Sequence, residues 1–242
     1  MFLGIMGAIG LIYTVHALKG KVNDYTTIEK NSSITVAAET PMLDKGNLIR
    51  KHFHKMAIQL EMKEVIKPHS VIVFSSFDER EGKAYNVLHL ANAYAQQGKK
   101  VLVVDADGAM HAANRLKGMV NIDFEDLSAN LSKYKNSDII TEQLKVWEEQ
   151  YDLVLIKNEP LCNISIGLIL MKLADNNLFI FDSRRTAAKM IAEAEALNDE
   201  YSFGNMQYIL NRSGYNPNIA WQGYQFIKTI ITKLARKPKP AL

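Results

Sequence analysis

A single cysteine, Cys162, occurs in the whole chain, which excludes a disulfide framework and fits a reducing compartment. Histidines give no metal set either. His52 and His54 are two apart, so on a helix they face different sides, and His89 and His111 have no acid or cysteine at ligand spacing. There is no G-x-S-x-G or other nucleophile motif. Net charge is only +3, with no stripe of Arg and Lys interleaved with aromatics, so nucleic acid is not an expected partner. No internal repeat occurs, and the one biased tract is the short basic tail 236–242. What remains is a chain of 242 residues, 48% apolar and 23% charged, long enough for one large α/β domain plus a small extra element.

Charge is also missing from one place. The first eighteen residues, MFLGIMGAIGLIYTVHAL, carry no charged side chain, and Lys19 and Lys21 follow at once. As a helix they would reach about 27 Å, close to the ~30 Å of a bilayer's hydrocarbon core. Without a basic region before the run or an A-x-A-like site after it, a signal peptide is disfavoured. The expectation is a single membrane helix over 1–18, with a buried soluble helix as the alternative. The lysines place the following domain on the cytoplasmic side of the inner membrane.

Residues 19–43 read as a connector holding one short strand near 34–37, and the domain is expected over 44–235. A helix is predicted over 45–63, with Pro68 beyond it. Short, almost continuously apolar runs then recur at 71–74, 101–104, 153–156, 178–181 and 206–210. Helical patterns over 84–97, 138–149, 164–174 and 186–200 separate them. Runs of that kind are strands buried on both faces, and the alternation predicts a doubly wound, mostly parallel sheet. A final basic amphipathic helix is expected over 218–235, packed on the sheet with its lysines exposed or lying on an anionic membrane.

The segment from Val71 to Asp107 carries the chemistry. A strand runs into a loop ending Gly82-Lys83, then a helix, then a strand ending Asp105-Ala106-Asp107. A working phosphate loop has the form G-x-x-x-x-G-K-[ST]: backbone N–H groups cradle phosphate, the lysine reaches outer phosphates and the hydroxyl binds magnesium. At those positions this chain has Phe77-Asp78-Glu79-Arg80-Glu81-Gly82-Lys83-Ala84. The candidate nucleotide-binding residues are Gly82, Lys83, Ala84, Asp105 and Asp107, although Phe77 replaces the first glycine and Ala84 the hydroxyl. Each loop carboxylate about 6 Å from a phosphate charge would oppose binding by ~3 kcal/mol at an effective dielectric of 20. An acidic strand-to-helix turn that holds no ligand is the alternative for the same segment.

With these residues the chain resembles the bacterial tyrosine kinases of capsule and exopolysaccharide assembly, members of the deviant P-loop group that includes the Min and Par ATPases. The resemblance also rests on Asn47-Leu48-Ile49-Arg50-Lys51-His52-Phe53 at the place of an E-x-x-R-x-x-R oligomer motif, and on Ser75-Ser76 before the loop. It extends to Tyr151-Asp152-Leu153-Val154-Leu155-Ile156, Pro160 and Tyr208-Ile209-Leu210-Asn211-Arg212. It implies a P-loop fold, ATP with Mg²⁺, homo-oligomers, and partners in polysaccharide assembly or export at the membrane.

Departures from the family alter that expectation. Lys157 stands where the resemblance implies a metal-binding aspartate, and Gly108-Ala109-Met110 follow Asp107 in place of an arginine. Only Arg50 matches the oligomer motif. The tail has Tyr215 and Tyr224 but no tyrosine cluster, and the stretch 118–138 is short enough for a strand to be missing. The expectation is a pseudo-ATPase with no catalytic residue and no metal, binding ATP weakly or not at all, that acts as a scaffold or regulator. In it Lys157 pairs with Asp105 in place of metal. An active kinase of the same family and a partition-type membrane-positioning ATPase are the alternatives.

Overall fold

The computed structural model describes residues 20–110, 119–130, 136–161 and 166–214. Seven strands form one sheet: β1 (Val36–Pro41), β2 (Ser70–Ser75), β3 (Val101–Asp105), β4 (Ile122–Asp126), β5 (Leu153–Lys157), β6 (Asn176–Asp182) and β7 (Met206–Ser213). Their order is β1-β7-β6-β2-β5-β3-β4, and every neighbouring pair is parallel. The helices are α1 (Tyr25–Glu29), α2 (Gly46–Met62), α3 (Lys83–Gln96), α4 (Ser137–Gln150), α5 (Gly167–Leu173) and α6 (Lys189–Tyr201).

The central strands β2, β3, β5 and β6 are buried at every residue, as expected of a sheet covered on both faces. One face is covered by α2 and α3, through Phe53, Met56 and Leu60 against Val87, Leu90 and Tyr94. The Tyr94 hydroxyl donates to the Ala57 carbonyl at 3.0 Å and ties the two helices together. The other face takes Ile28 of α1, Leu144 and Trp147 of α4, Leu170 of α5 and Ile191 of α6. Two of these helices begin on a side-chain cap: Asp24 accepts from Thr27 N at 2.8 Å, and Asn136 from Asp138 N at 3.1 Å.

Two expectations change. The segment before residue 44 is more than a connector. Val22 and Ile28 are buried in the core, and β1 pairs with β7 from Val36↔Tyr208 to Pro41↔Ser213, so the folded unit takes in residues assigned to the linker. Nor does 118–138 lack a strand. β4 lies there, paired with β3 from Val101↔Ile122 to Asp105↔Asp126. It is an edge strand of sequence IDFED, buried only at Ile122. Its acids discourage further strand pairing at that edge.

Among the described residues no helix is long and apolar enough to cross a membrane. The membrane helix expected over 1–18 and the basic helix expected over 218–235 both lie outside the described residues.

Phe53 is 1% exposed and packs edge-on to Tyr85 at 5.7 Å and stacked on His89 at 5.0 Å, so it is the pin between α2 and α3. Phe53→Ala should destabilise the domain by about 3–5 kcal/mol, read as a lower denaturant midpoint. An exposed substitution on the same helix, Ile58→Ala, should change stability by less than about 1 kcal/mol.

Candidate functional site

The carboxyl ends of parallel strands form the end of an α/β sheet where ligands usually bind. At that end β2 leads through Ser75 and Ser76 into the loop 77–82, and α3 starts at Lys83. Gly82 joins loop to helix with φ +105, a left-handed conformation that favours glycine. A β-carbon there would also sit 2.1 Å from Asn211 Nδ2.

The loop is held by its own side chains. Asp78 Oδ1 accepts from Arg80 N at 3.1 Å, while Glu81 Oε2 accepts from Asp78 N at 3.0 Å, a capping box closed within one turn. Glu81 is 2% exposed, and its other oxygen is hydrogen-bonded to the Thr186 hydroxyl. Burial pushes the Glu81 carboxyl above its usual value, against the pull of those hydrogen bonds. Asn211 Nδ2 donates to the Glu81 carbonyl at 2.9 Å, anchoring the loop to the end of β7. Phe77, at the position of the first P-loop glycine, turns into the core and meets the Phe179 ring at 5.0 Å.

Lys83 points inward. Its ammonium donates to Ser76 Oγ at 2.7 Å and to the Asp78 carbonyl at 3.1 Å, and the residue is fully buried. Burial, reinforced by the nearby Lys157 charge, lowers its pKa from 10.5 to about 8. Ala84 follows on the first turn of α3 and offers no side-chain oxygen.

Lys157 ends β5 directly opposite Asp105 of β3. Its ammonium donates to Asp105 Oδ1 at 3.1 Å and also to Asp107 Oδ1, and Lys157 and Asp105 are 2% and 1% exposed. The pairing expected from sequence is therefore present, with Asp107 as a second partner. Asp105 Oδ2 accepts from Met110 N at 2.7 Å, and Asp107 Oδ1 from Ala109 N at 3.0 Å. Burial, with the Asp107 hydrogen bond, pushes the Asp105 carboxyl up. At Asp107 burial acts the same way, but the bond from Lys157 and the contact with Asp105 outweigh it and hold that carboxyl low.

Gly82, Lys83, Ala84, Asp105 and Asp107 are thus gathered at one end of the sheet. Residues outside that set hold the site together: Ser76, Glu81, Thr186, Asn211, and Asp182 bound to Arg212. Ser76, Glu81, Asn211 and Arg212 stand in the motif segments, so the signal was present. Thr186 and Asp182 had none. Beside the loop a pocket of about 210 Å³ opens between the ends of β1 and β7, lined by Leu43, Asp44, Gly82, Tyr85, Asn211 and Arg212 among others.

The oligomer-motif segment lies on α2. Asn47 and Arg50 line an outer groove with Lys51, His54 and Lys55, whereas Phe53 is in the core and presents nothing outward. Among the described residues no group of three His, Cys, Asp or Glu could hold a metal ion.

No family model matches the chain. It is similar to tyrosine-protein kinase YwqD of Bacillus subtilis (strain 168), at 24% identity over 182 residues, covering 64% of this chain and 77% of that protein. Its fold is that of the kinase domain of Escherichia coli tyrosine kinase ETK, with TM-score 0.63 and 16% identity over 77% of this chain and 93% of that one. The chimerical protein CapA2B2 also aligns with TM-score 0.63, at 17% identity over 78% of this chain and 98% of that one. The chain accordingly has a homologue named as a bacterial tyrosine kinase and shares the parallel-sheet, P-loop-like fold of such kinase domains.

Two outcomes test this geometry. Folded Lys83 gives up its proton near pH 8, whereas the unfolded side chain holds it to about 10.5. The unfolded chain then binds more protons across that window, and stability rises with pH. Denaturant titrations at pH 8 and 10 should show wild type gaining stability relative to Lys83→Met. Separately, Gly82→Ala should destabilise by about 1–3 kcal/mol through the positive φ alone, with the clash against Asn211 adding to it.

Proposed function

We propose that this relative of the bacterial tyrosine kinases is a membrane-associated pseudo-ATPase, a scaffold or regulator of extracellular polysaccharide assembly or export that works through protein contacts. The observation that carries the reading is the Lys157 ammonium held between Asp105 and Asp107. Phosphoryl transfer depends on positioned cations that neutralise charge developing on the phosphoryl oxygens. A divalent ion brought to these two carboxylates would meet a fixed positive charge, and the first turn of α3 supplies Ala84 where a ligand oxygen is needed. The residues present do not fit Mg²⁺. They fit ATP poorly as well, since Glu81 and Asp78 already engage backbone N–H groups of the loop.

The polysaccharide role rests on the likeness to the Bacillus kinase and on the resemblance set out above. Placement at the inner membrane, with the domain in the cytoplasm, rests on the uncharged first eighteen residues and the lysines after them. The outer groove of α2, rich in basic side chains, leaves room for self-association or for an acidic partner. The name of the Bacillus relative favours the second reading, an active kinase.

Calorimetry with MgATP, and phosphotyrosine blotting after incubation with it, separate the two. The expected result is no saturable heat at millimolar nucleotide and no phosphotyrosine. Turnover or self-phosphorylation that disappears in Lys83→Met would overturn the proposal.

A further inference from the structure

The buried charges of the loop and the strand ends are paired within the chain. Glu81 places a buried carboxylate against Asp78 N, a backbone group of the loop where a phosphate would be cradled. Lys157 places a buried ammonium between two carboxylates at the position a divalent cation would take. Between them lies Lys83, bound to Ser76 and the Asp78 carbonyl. We propose that the site is self-liganded: the Glu81 carboxylate takes the part of the bound anion and the Lys157 ammonium that of the bound cation, so the chain holds one ligand-independent conformation. This deepens the pseudo-ATPase reading and rests on it.

The connections follow from what each group reaches. Through its side chain and carbonyl Glu81 engages Thr186, in the segment after β6, and Asn211 on β7. Thr186 Oγ1 in turn accepts from Asp182 N at 2.8 Å, at the end of β6. Lys157 joins β5 to Asp105 on β3 and to Asp107 beyond it. Lys83 adds Ser76, after β2. The carboxyl ends of five strands are fastened without any molecule from outside. In P-loop switches an arriving phosphate and its metal order the same region, so a resident anion and cation remove the signal. A partner that reads this end of the sheet would meet the same surface whether or not nucleotide is present.

The consequence that can be measured is a latent cation site. Taking away the ammonium leaves Asp105 and Asp107 facing a common point with nothing between them, and a hard divalent cation with oxygen preference should then enter. In full-length protein, MgCl2 at 10 mM should raise the unfolding midpoint of Lys157→Ala by at least about 4 °C and leave wild type unchanged. Lys157→Gln, which keeps bulk and a donor, should fold where the alanine variant fails to, and should respond in the same direction but more weakly. Hydrogen exchange at the Asp78 amide gives a second reading. It should be slow in wild type, equally slow with MgATP added, and at least tenfold faster in Glu81→Ala. Lys157 variants indifferent to Mg²⁺, or wild-type exchange that slows when MgATP is added, would overturn the inference. In the first case wild type still fails to turn over ATP and the pseudo-ATPase reading stands. ATP turnover by wild type would overturn both.

Discussion

The arrangement depends on one ammonium group. Lys157 sits at the end of a buried central strand, in register with Asp105 and within reach of Asp107. Two carboxylates gathered at the end of a buried strand repel each other, and burial with the Asp107 hydrogen bond drives the Asp105 carboxyl upward. An active site of this kind meets that difficulty with a metal ion. Here a lysine meets it with a side chain. Removing one member of a buried pair leaves an uncompensated charge, a loss of about 3–5 kcal/mol, so the cage and the lysine are held to each other.

A second substitution runs parallel to the first on the opposite sign of charge. A P-loop offers a ring of backbone donors that calls for an anion. In this loop Asp78 and Glu81 answer part of that call from within, the buried Glu81 carboxylate is bonded to the Thr186 hydroxyl, and Asn211 holds the Glu81 carbonyl. Phe77 shows the same tendency, turning a position that needs flexibility into an aromatic anchor on Phe179. Each change alone weakens a nucleotide site. Together they make a packed strand end in which the buried charges Glu81, Lys83, Asp105, Lys157 and Asp182 all have partners from the same chain.

Much of this was legible in the sequence. The five buried strands announced themselves as short apolar runs because a strand covered on both faces has no polar side to show. Lys157 was legible as a partner of Asp105 through the resemblance, which implies a metal-binding aspartate at that position, and the structure sets it level with the last residue of VLVVD. The two edge strands were harder. β1 carries Ala, Glu, Thr and Pro and is buried at only some positions, and β4 alternates Ile and Phe with acids over five residues. The strand expected near 34–37 stops short of the observed Val36–Pro41, and β4 looks like a loop until β3 supplies its hydrogen bonds. Nor does a capping box have the look of a ligand substitute, so Glu81 read only as one of the acids opposing phosphate.

On the proposed reading, the balance of the charges lets the fold stand without a bound metal. Replacing a metal-binding aspartate by lysine changes the site by two charge units, which would be disruptive if the metal stayed. Without a metal, as proposed, the same change supplies the positive charge the two carboxylates require. Asp105 and Asp107, both bonded to Lys157, tie the ends of β3 and β5 together. On the proposed reading, a loop that had merely decayed would leave these charges or Lys83 without partners. Instead Lys83 keeps Ser76 and the Asp78 carbonyl, and Lys157 keeps both acids. This end of the sheet is therefore held in shape by its own side chains.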